Sequence, residues 1–179
     1  MSPAQIIDAC VLINLLATGE LKSILDSVGR TSLICSVVQE ESIYLKTGDT
    51  NNPKELINLA PFLNDGTLSV CELEGEKEDL SYVDFASVLD DGEAMTLAIA
   101  INRGLYLVTD ERKARRLFSE QGGNPKRLIS TSDLIHRWAQ GKKVSANKLQ
   151  ETLQKIESRA SYRPPTTDRN QKWWIKALS

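Results

Sequence analysis

Gln5-Ile6-Ile7-Asp8-Ala9-Cys10-Val11-Leu12-Ile13-Asn14-Leu15-Leu16 is the stretch that decides the fold. It opens as a short apolar run ending in an acid, the pattern of a buried strand that delivers Asp8 at its carboxyl end. It continues with Leu12, Ile13, Leu15 and Leu16 at helical spacing, and Gly19 stops that helix. Strand, acid and helix in immediate succession predict an α/β unit.

Outward from there the alternation repeats. Glu20 to Val28 carries Leu21, Ile24, Leu25 and Val28 on one stripe and ends at Gly29. Thr31 to Cys35 reads as a second strand, with Ser36 as N-cap of a helix holding Glu40 and Glu41 in its first turns. Residues 47–53 form a loop by composition, Lys54 to Leu63 a helix, Asn64-Asp65-Gly66 a turn, and Thr67 to Cys71 a short strand. Glu72 to Asp79 is acidic and reads as exposed, and Leu80 to Val88 is weakly helical. Asp91-Gly92-Glu93 opens a strong helix closed by Asn102-Arg103-Gly104. A strand at Leu105–Thr109, a helix from Asp110 to Gln121, a strand at Arg127–Ser130 and a helix capped by Thr131 or Ser132 and running to Gln140 follow. Ser145 to Arg159 is one more amphipathic helix, and the chain from Ala160 reads as a tail. This order predicts an α/β fold with a central parallel sheet covered on both faces.

Composition sets the limits. The 179 residues, 41% hydrophobic and 26% charged, suit one soluble domain with an appendage. We read residues 1–140 as the domain and 141–179 as a basic helix and tail appended to it. No apolar run approaches the ~20 residues that span a bilayer, and the start Met1-Ser2-Pro3-Ala4-Gln5 lacks the basic region of a secretory signal. Cys10, Cys35 and Cys71, an odd count without CxxC spacing, read as reduced core residues, consistent with a cytoplasmic protein. The single histidine, His136, removes mechanisms that need a histidine pair and most zinc sites. GxGxxG and P-loop motifs are absent, which disfavours dinucleotide and NTP binding. The net charge of −2 conceals a split: residues 1–100 carry 17 acidic against 5 basic side chains, and 101–179 carry 7 against 17.

In open α/β sheets, sites form beyond the carboxyl ends of the strands. Asp8 ends the first strand and Asp110 the strand 105–109, while Glu40 follows the second strand and Glu93 opens the helix before the third. Each acid alone also reads as a helix cap or a surface group; their joint placement carries the reading. Gathered carboxylates raise one another's pKa unless a cation neutralises them. Oxygen donors of this kind suit Mg²⁺ or Mn²⁺, which activate water and stabilise charge at phosphorus.

At this point the motifs resemble the PIN-domain family. Residues 6–16 resemble its opening strand–acid–helix motif, and Ser36-Val37-Val38-Gln39-Glu40-Glu41 its second motif. Asp91-Gly92-Glu93-Ala94 resembles the GEA helix of one subgroup. Asp110-Glu111-Arg112-Lys113-Ala114-Arg115-Arg116 resembles that subgroup's DxRxAR motif, and Ser130-Thr131-Ser132-Asp133-Leu134 its terminal helix. The resemblance implies a Rossmann-like three-layer α/β/α sandwich and Mg²⁺- or Mn²⁺-dependent hydrolysis of RNA phosphodiesters. Small members are toxins of toxin–antitoxin pairs, so a small antitoxin protein and a homodimer are the implied partners, with no membrane. By position, Asp8, Glu40, Glu93 and Asp110 would bind the metal, Thr109 would orient Asp110, and Asp91 and Glu111 would support them. Glu40/Glu41 and Asp110/Glu111 each leave a one-residue choice. Cys10 stands where the family usually has a small hydroxyl or Asn, a weaker hydrogen-bonding group.

A nuclease needs positive surface around its acids, because phosphate contacts dominate affinity. Arg112, Arg115 and Arg116 are the candidate RNA contacts. Residues 138–179 hold 9 basic against 3 acidic residues, with Trp173 and Trp174 among them, which suits packing or stacking on unpaired bases. The competing reading is a catalytically degraded binding protein on the same fold, acting through partner or RNA contacts.

Overall fold

The computed structural model describes residues 3–41 and 43–179. In chain order the elements are β1 (Ala4–Ile7), α1 (Ala9–Thr18), α2 (Leu21–Val28), β2 (Thr31–Cys35), α3 (Ser36–Glu40), β3 (Tyr44–Lys46), β4 (Lys54–Leu56), α4 (Ala60–Asn64), β5 (Ser69–Cys71) and α5 (Glu76–Ala86). Then come α6 (Asp91–Asn102), β6 (Tyr106–Val108), α7 (Arg112–Glu120), β7 (Leu128–Ile129), α8 (Thr131–Gly141), α9 (Ala146–Lys155), a wide π-type turn at Ile156–Ala160 and α10 (Gln171–Leu178). The fold is α/β with a parallel sheet, as the alternation predicts, and of the Rossmann-like sandwich class that the resemblance implies. The chain divides into two compact units, with the boundary inside α1 between Val11 and Leu12.

The first unit comprises the residues up to Val11, Arg30–Glu41 and Leu59–Ser130. Its sheet has five parallel strands in the order β5-β2-β1-β6-β7. The chain winds outward from β1 through β2 to β5, then crosses back to β6 and β7. The direction of winding reverses between β1 and β6, the switch point at which a doubly wound sheet opens a crevice at its carboxyl edge. Central β1 contributes Ile6 and Ile7, both fully buried, so its apolar run is continuous rather than alternating. Helix α6 is buried from Ala94 through Ala100, packing on β1, β2 and β6 with α5 at its side.

Three expectations are corrected. Residues 72–79 are not wholly exposed: Glu78 is 5% exposed and paired with Arg103. Helix α3 spans only five residues, so Glu40 and Glu41 stand at its end rather than in its first turns. Lys54–Leu63 is not one helix. Lys54–Leu56 is a strand, and the helical part is short α4, with Pro61 in its first turn. Leu56, Ile57, Leu59 and Leu63 satisfy a helical stripe, but antiparallel pairing of β3 with β4 wins, extended by Ile57 N–H donating to the Ile43 carbonyl.

The second unit comprises Leu12–Gly29, residues 43–58 and Thr131–Ser179. Helix α2 buries Leu21, Ile24, Leu25 and Val28, the stripe read from sequence, and packs on α8. Trp138 is buried there, its Nε1 donating to Ser23 Oγ at 2.9 Å. The stretch read as a tail is ordered into α10, which packs on α9. Trp174 is fully buried, and its Nε1 donates to Glu157 Oε1 at 3.1 Å. Arg163 donates to both oxygens of the same carboxylate. Of the two roles weighed for the tryptophan pair, packing holds for Trp174. Trp173 sits edge-on to His136 with ring centroids 4.6 Å apart. The three cysteines are free thiols, Cys35 buried and the others half-buried. No helix among the described residues is long and apolar enough to cross a membrane.

Candidate functional site

The switch point of the sheet decides which acids meet. Asp8 follows β1 directly, and its backbone N–H donates to the Val108 carbonyl, so β6 fixes the place where the first strand ends. The carboxyl group is 3% exposed. Thr109 Oγ1 donates to Asp8 Oδ2 at 2.7 Å, and the Cys10 thiol donates to the same oxygen at 3.2 Å. Burial still raises the Asp8 carboxyl above its ordinary range, with the charge of Asp90 adding to it and these hydrogen bonds opposing it. The Thr109 hydroxyl has one proton, and it goes to Asp8, which corrects the expectation that it would orient Asp110. Thr109 Oγ1 also accepts from the Glu111 N–H at 3.1 Å, so one side chain ties the end of β1 to the turn after β6.

Asp90 and Glu93 hold the opening of α6. Asp90 is the N-cap: its Oδ1 accepts from the Glu93 N–H at 2.8 Å. Burial, then the charges of Asp90, Asp8 and Glu111, push the Glu93 carboxyl up to about 7. Burial, then Asp90 and Asp8, also raise Glu41. Burial and Asp8 push the Cys10 thiol far above its usual range, opposed by a hydrogen bond to the Asp110 backbone, while the Asp110 charge adds a smaller upward contribution. These shifts trace one connected field of negative charge through Asp8, Glu41, Asp90, Glu93, Asp110 and Glu111.

The choice between Glu40 and Glu41 thus falls on Glu41. Both are exposed, but Glu40 stands at the end of α3 while Glu41 Oε1 lies against the start of α6. Gly92 makes that approach possible: a Cβ there would come within 2.8 Å of Glu41 Oε1 and 3.5 Å of Val38 Cγ2. Asp91 accepts from the Tyr82 hydroxyl at 3.3 Å, and its neighbour Asp90 takes the place in the cluster that Asp91 was expected to support. Asp90 was the residue missed, although the Asp90…Glu93 spacing is that of a capping box and marks it.

The basic helix α7 is divided in its roles. Arg115 Nη1 donates to the main-chain carbonyls of Thr109 (2.7 Å) and Ile129 (3.3 Å), bracing the carboxyl ends of β6 and β7. Arg116 pairs with Glu120 one turn on, and Arg112 stands exposed at the start of the helix.

The donor set suits a hard divalent cation in kind, since its carboxylates offer only oxygen. Among the described residues no three His, Cys, Asp or Glu side chains converge as a preformed cage. Mg²⁺ does not require one, because it is commonly held by one or two carboxylates and keeps several waters. A cation would also offset the burial, and the smaller mutual repulsion, that raise Asp8, Glu41 and Glu93. The residues therefore fit the group, with Asp8, Glu93 and Asp110 as direct candidates and Asp90 and Glu41 beside them.

Compared with known protein families, residues 4–165 match a family described as a PIN domain. No curated protein and no solved structure matches the chain.

Proposed function

The chain belongs to the PIN-domain family, a nuclease-type fold, and on that premise we propose that it is a metal-dependent endoribonuclease hydrolysing RNA phosphodiester bonds. The observation that carries the proposal is the joined negative field at the switch point, in which burial and neighbouring acids lift Glu93 to about 7. Magnesium or manganese, when bound, supplies an activated water and charge stabilisation at the phosphorus and the leaving oxygen. Asp8, Glu93 and Asp110 would hold the cation with water completing its shell, and Glu41 would take the role expected of Glu40. Thr109 and Cys10 orient Asp8 through its Oδ2. Arg115 keeps the strand ends in register, and exposed Arg112 is placed to meet a phosphate.

A toxin role, with a small antitoxin protein as inhibitor, a homodimeric assembly and a cytoplasmic location, completes the proposal on family grounds. A second reading draws on Cys10, whose thiol replaces the usual hydroxyl or Asn: a PIN-fold binding protein without catalysis. One assay separates them. Labelled single-stranded RNA is incubated with Mn²⁺ or Mg²⁺, or with EDTA, using Asp8→Asn and Asp110→Asn as controls. Cleavage that needs metal and is lost in both variants supports the ribonuclease. No cleavage together with no Mn²⁺ binding by calorimetry refutes it and favours the binding protein.

A further inference from the structure

The opposite edge of the sheet carries a cationic pair that the carboxylate chemistry does not use. Gln5 stands in register with Ser32 on one side and with Tyr106 on the other, a row near the amino ends of β2, β1 and β6. Arg30, just before β2, places its guanidinium carbon 3.7 Å from the centre of the Tyr106 ring. Arg127, just before β7, places its own 5.9 Å from the same centre. Two separate segments therefore bring two cations to one aromatic ring.

Their polar contacts are neutral. Arg30 Nη1 donates to Gln5 Oε1 at 3.4 Å, and Gln5 Nε2 in turn donates to Ser32 Oγ at 3.1 Å. Arg127 Nη1 donates to the Gly104 carbonyl. Among the described residues neither guanidinium has an ion-pair partner, whereas nearby Arg103 is paired with Glu78 and Glu74. The ring face attracts one cation by its quadrupole, but a second one adds repulsion. Arg30 and Arg127 are half-buried residues, and both guanidiniums remain accessible to a ligand. Planar donors fixed by a ring and a carbonyl, with charge left unmatched, suit phosphate oxygens.

We propose that Arg30 and Arg127, braced on Tyr106, form a second phosphate-binding site for the RNA backbone at the amino edge of the sheet. The proposal rests on the ribonuclease reading and narrows its substrate class. Gln5 precedes Asp8 by three strand residues, about 10 Å of extended chain at ~3.3 Å per residue. At ~3.4 Å per stacked nucleotide that is about three nucleotides, so an RNA longer than this touches both edges, and a dinucleotide occupies the carboxylate edge alone.

The test measures binding of end-labelled 2-nucleotide and 24-nucleotide RNA by fluorescence anisotropy in EDTA, over a range of salt, and their cleavage in Mn²⁺. The proteins are the full chain, R30Q/R127Q and R30K/R127K, each checked by circular dichroism and melting temperature. The expected result is a loss of at least about tenfold in affinity for the long RNA in R30Q/R127Q, with a salt slope shallower by about 1.4, two contacts at ~0.7 each. The short RNA binds and is cleaved as before, and the lysine variant restores the slope because it keeps the charge. Unchanged affinity and slope for the long RNA in R30Q/R127Q overturn the proposal. So does a lysine variant as weak as the glutamine one with an equally lowered melting temperature, which makes the arginines structural only. Inorganic phosphate is the competitor: if it saturates the pair at micromolar concentration without displacing long RNA, the ligand is a free phosphate and the RNA proposal falls. If the unaltered protein cleaves the short RNA while the slope is indifferent to the arginines, only this inference fails. If it neither cleaves either RNA in Mn²⁺ nor binds Mn²⁺, the ribonuclease reading fails with it.

Discussion

Glu78→Gln is the perturbation whose consequence is most fully determined by the structure. Glu78 and Arg103 form a two-pronged pair, Nε to Oε1 and Nη2 to Oε2, both 2.8 Å, with side chains 6% and 22% exposed. The Glu74 N–H donates to Glu78 Oε2 at 2.7 Å, and Arg103 Nη2 reaches the Glu72 carbonyl. The pair thus binds the loop before α5 to the end of α6. Removing one partner of a fully buried ion pair costs about 3–5 kcal/mol. Arg103 keeps some water contact, and glutamine retains one acceptor, so the loss expected here is nearer ~2 kcal/mol, the range of a charged hydrogen bond. For a chain of this size that is a fall of about 4–8 °C in melting temperature. The Arg103 hydrogen bond holds the Glu78 carboxyl below the usual range. A depressed acid contributes stability that is complete above the unfolded carboxyl pKa of about 4.3 and is lost as pH falls through the folded value. Thermal melts of the two proteins from pH 7 to pH 3 therefore start apart and converge in acid. A variant that melts within about 1 °C of the parent at pH 7, or a gap that persists unchanged at pH 3, would refute the reasoning.

Gly92→Ala meets only the far end of the Glu41 side chain, so it leaves the melting temperature nearly unchanged while displacing that carboxylate; calorimetry reads the outcome as weaker Mn²⁺ binding. Thr109→Val keeps the shape and removes the strongest donor to Asp8 Oδ2. Loss of such an outer partner costs about 10–100-fold in metal affinity, and Thr109→Ser restores most of it. Trp174→Ala empties a fully buried site and orphans the Glu157 hydrogen bond. The expected cost is about 3–5 kcal/mol, with early proteolytic cutting between residues 160 and 171 as the readout, and normal resistance there would count against a docked α10.

What could be read directly from the residues was whatever depends on neighbours in the chain. Ile6-Ile7-Asp8, Thr31–Cys35 and Leu105–Thr109 declare buried strands because a central parallel strand is apolar on both faces. Asp8 and Asp110 stand out as candidate site residues because each closes the stretch read as such a strand, and Glu93 because it opens the helix between them. Arg112, Arg115 and Arg116 were equally visible as a basic run, yet their division of labour was not. Only the fold shows that Arg115 is engaged by the Thr109 and Ile129 carbonyls, 6 and 14 residues away in the chain.

The tertiary structure decided which of two neighbouring side chains meets the cluster. A shift of one residue rotates a side chain by about 100° on a helix and by 180° on a strand. Glu41 rather than Glu40 meets the cluster because α3 ends after five residues and Gly92 leaves room for its carboxylate. Asp90 rather than Asp91 joins it because the cap position turns Asp90 toward the Glu93 N–H. The hairpin at β3 and β4, the buried Glu78 and the docked Trp174 stayed hidden for a related reason. Each is favoured by a partner far along the chain, and the composition of its own segment points to another structure. Local periodicity determines which elements form and where an acid can emerge; long-range pairing, buried charge and close backbone approach determine which of the available acids make a site.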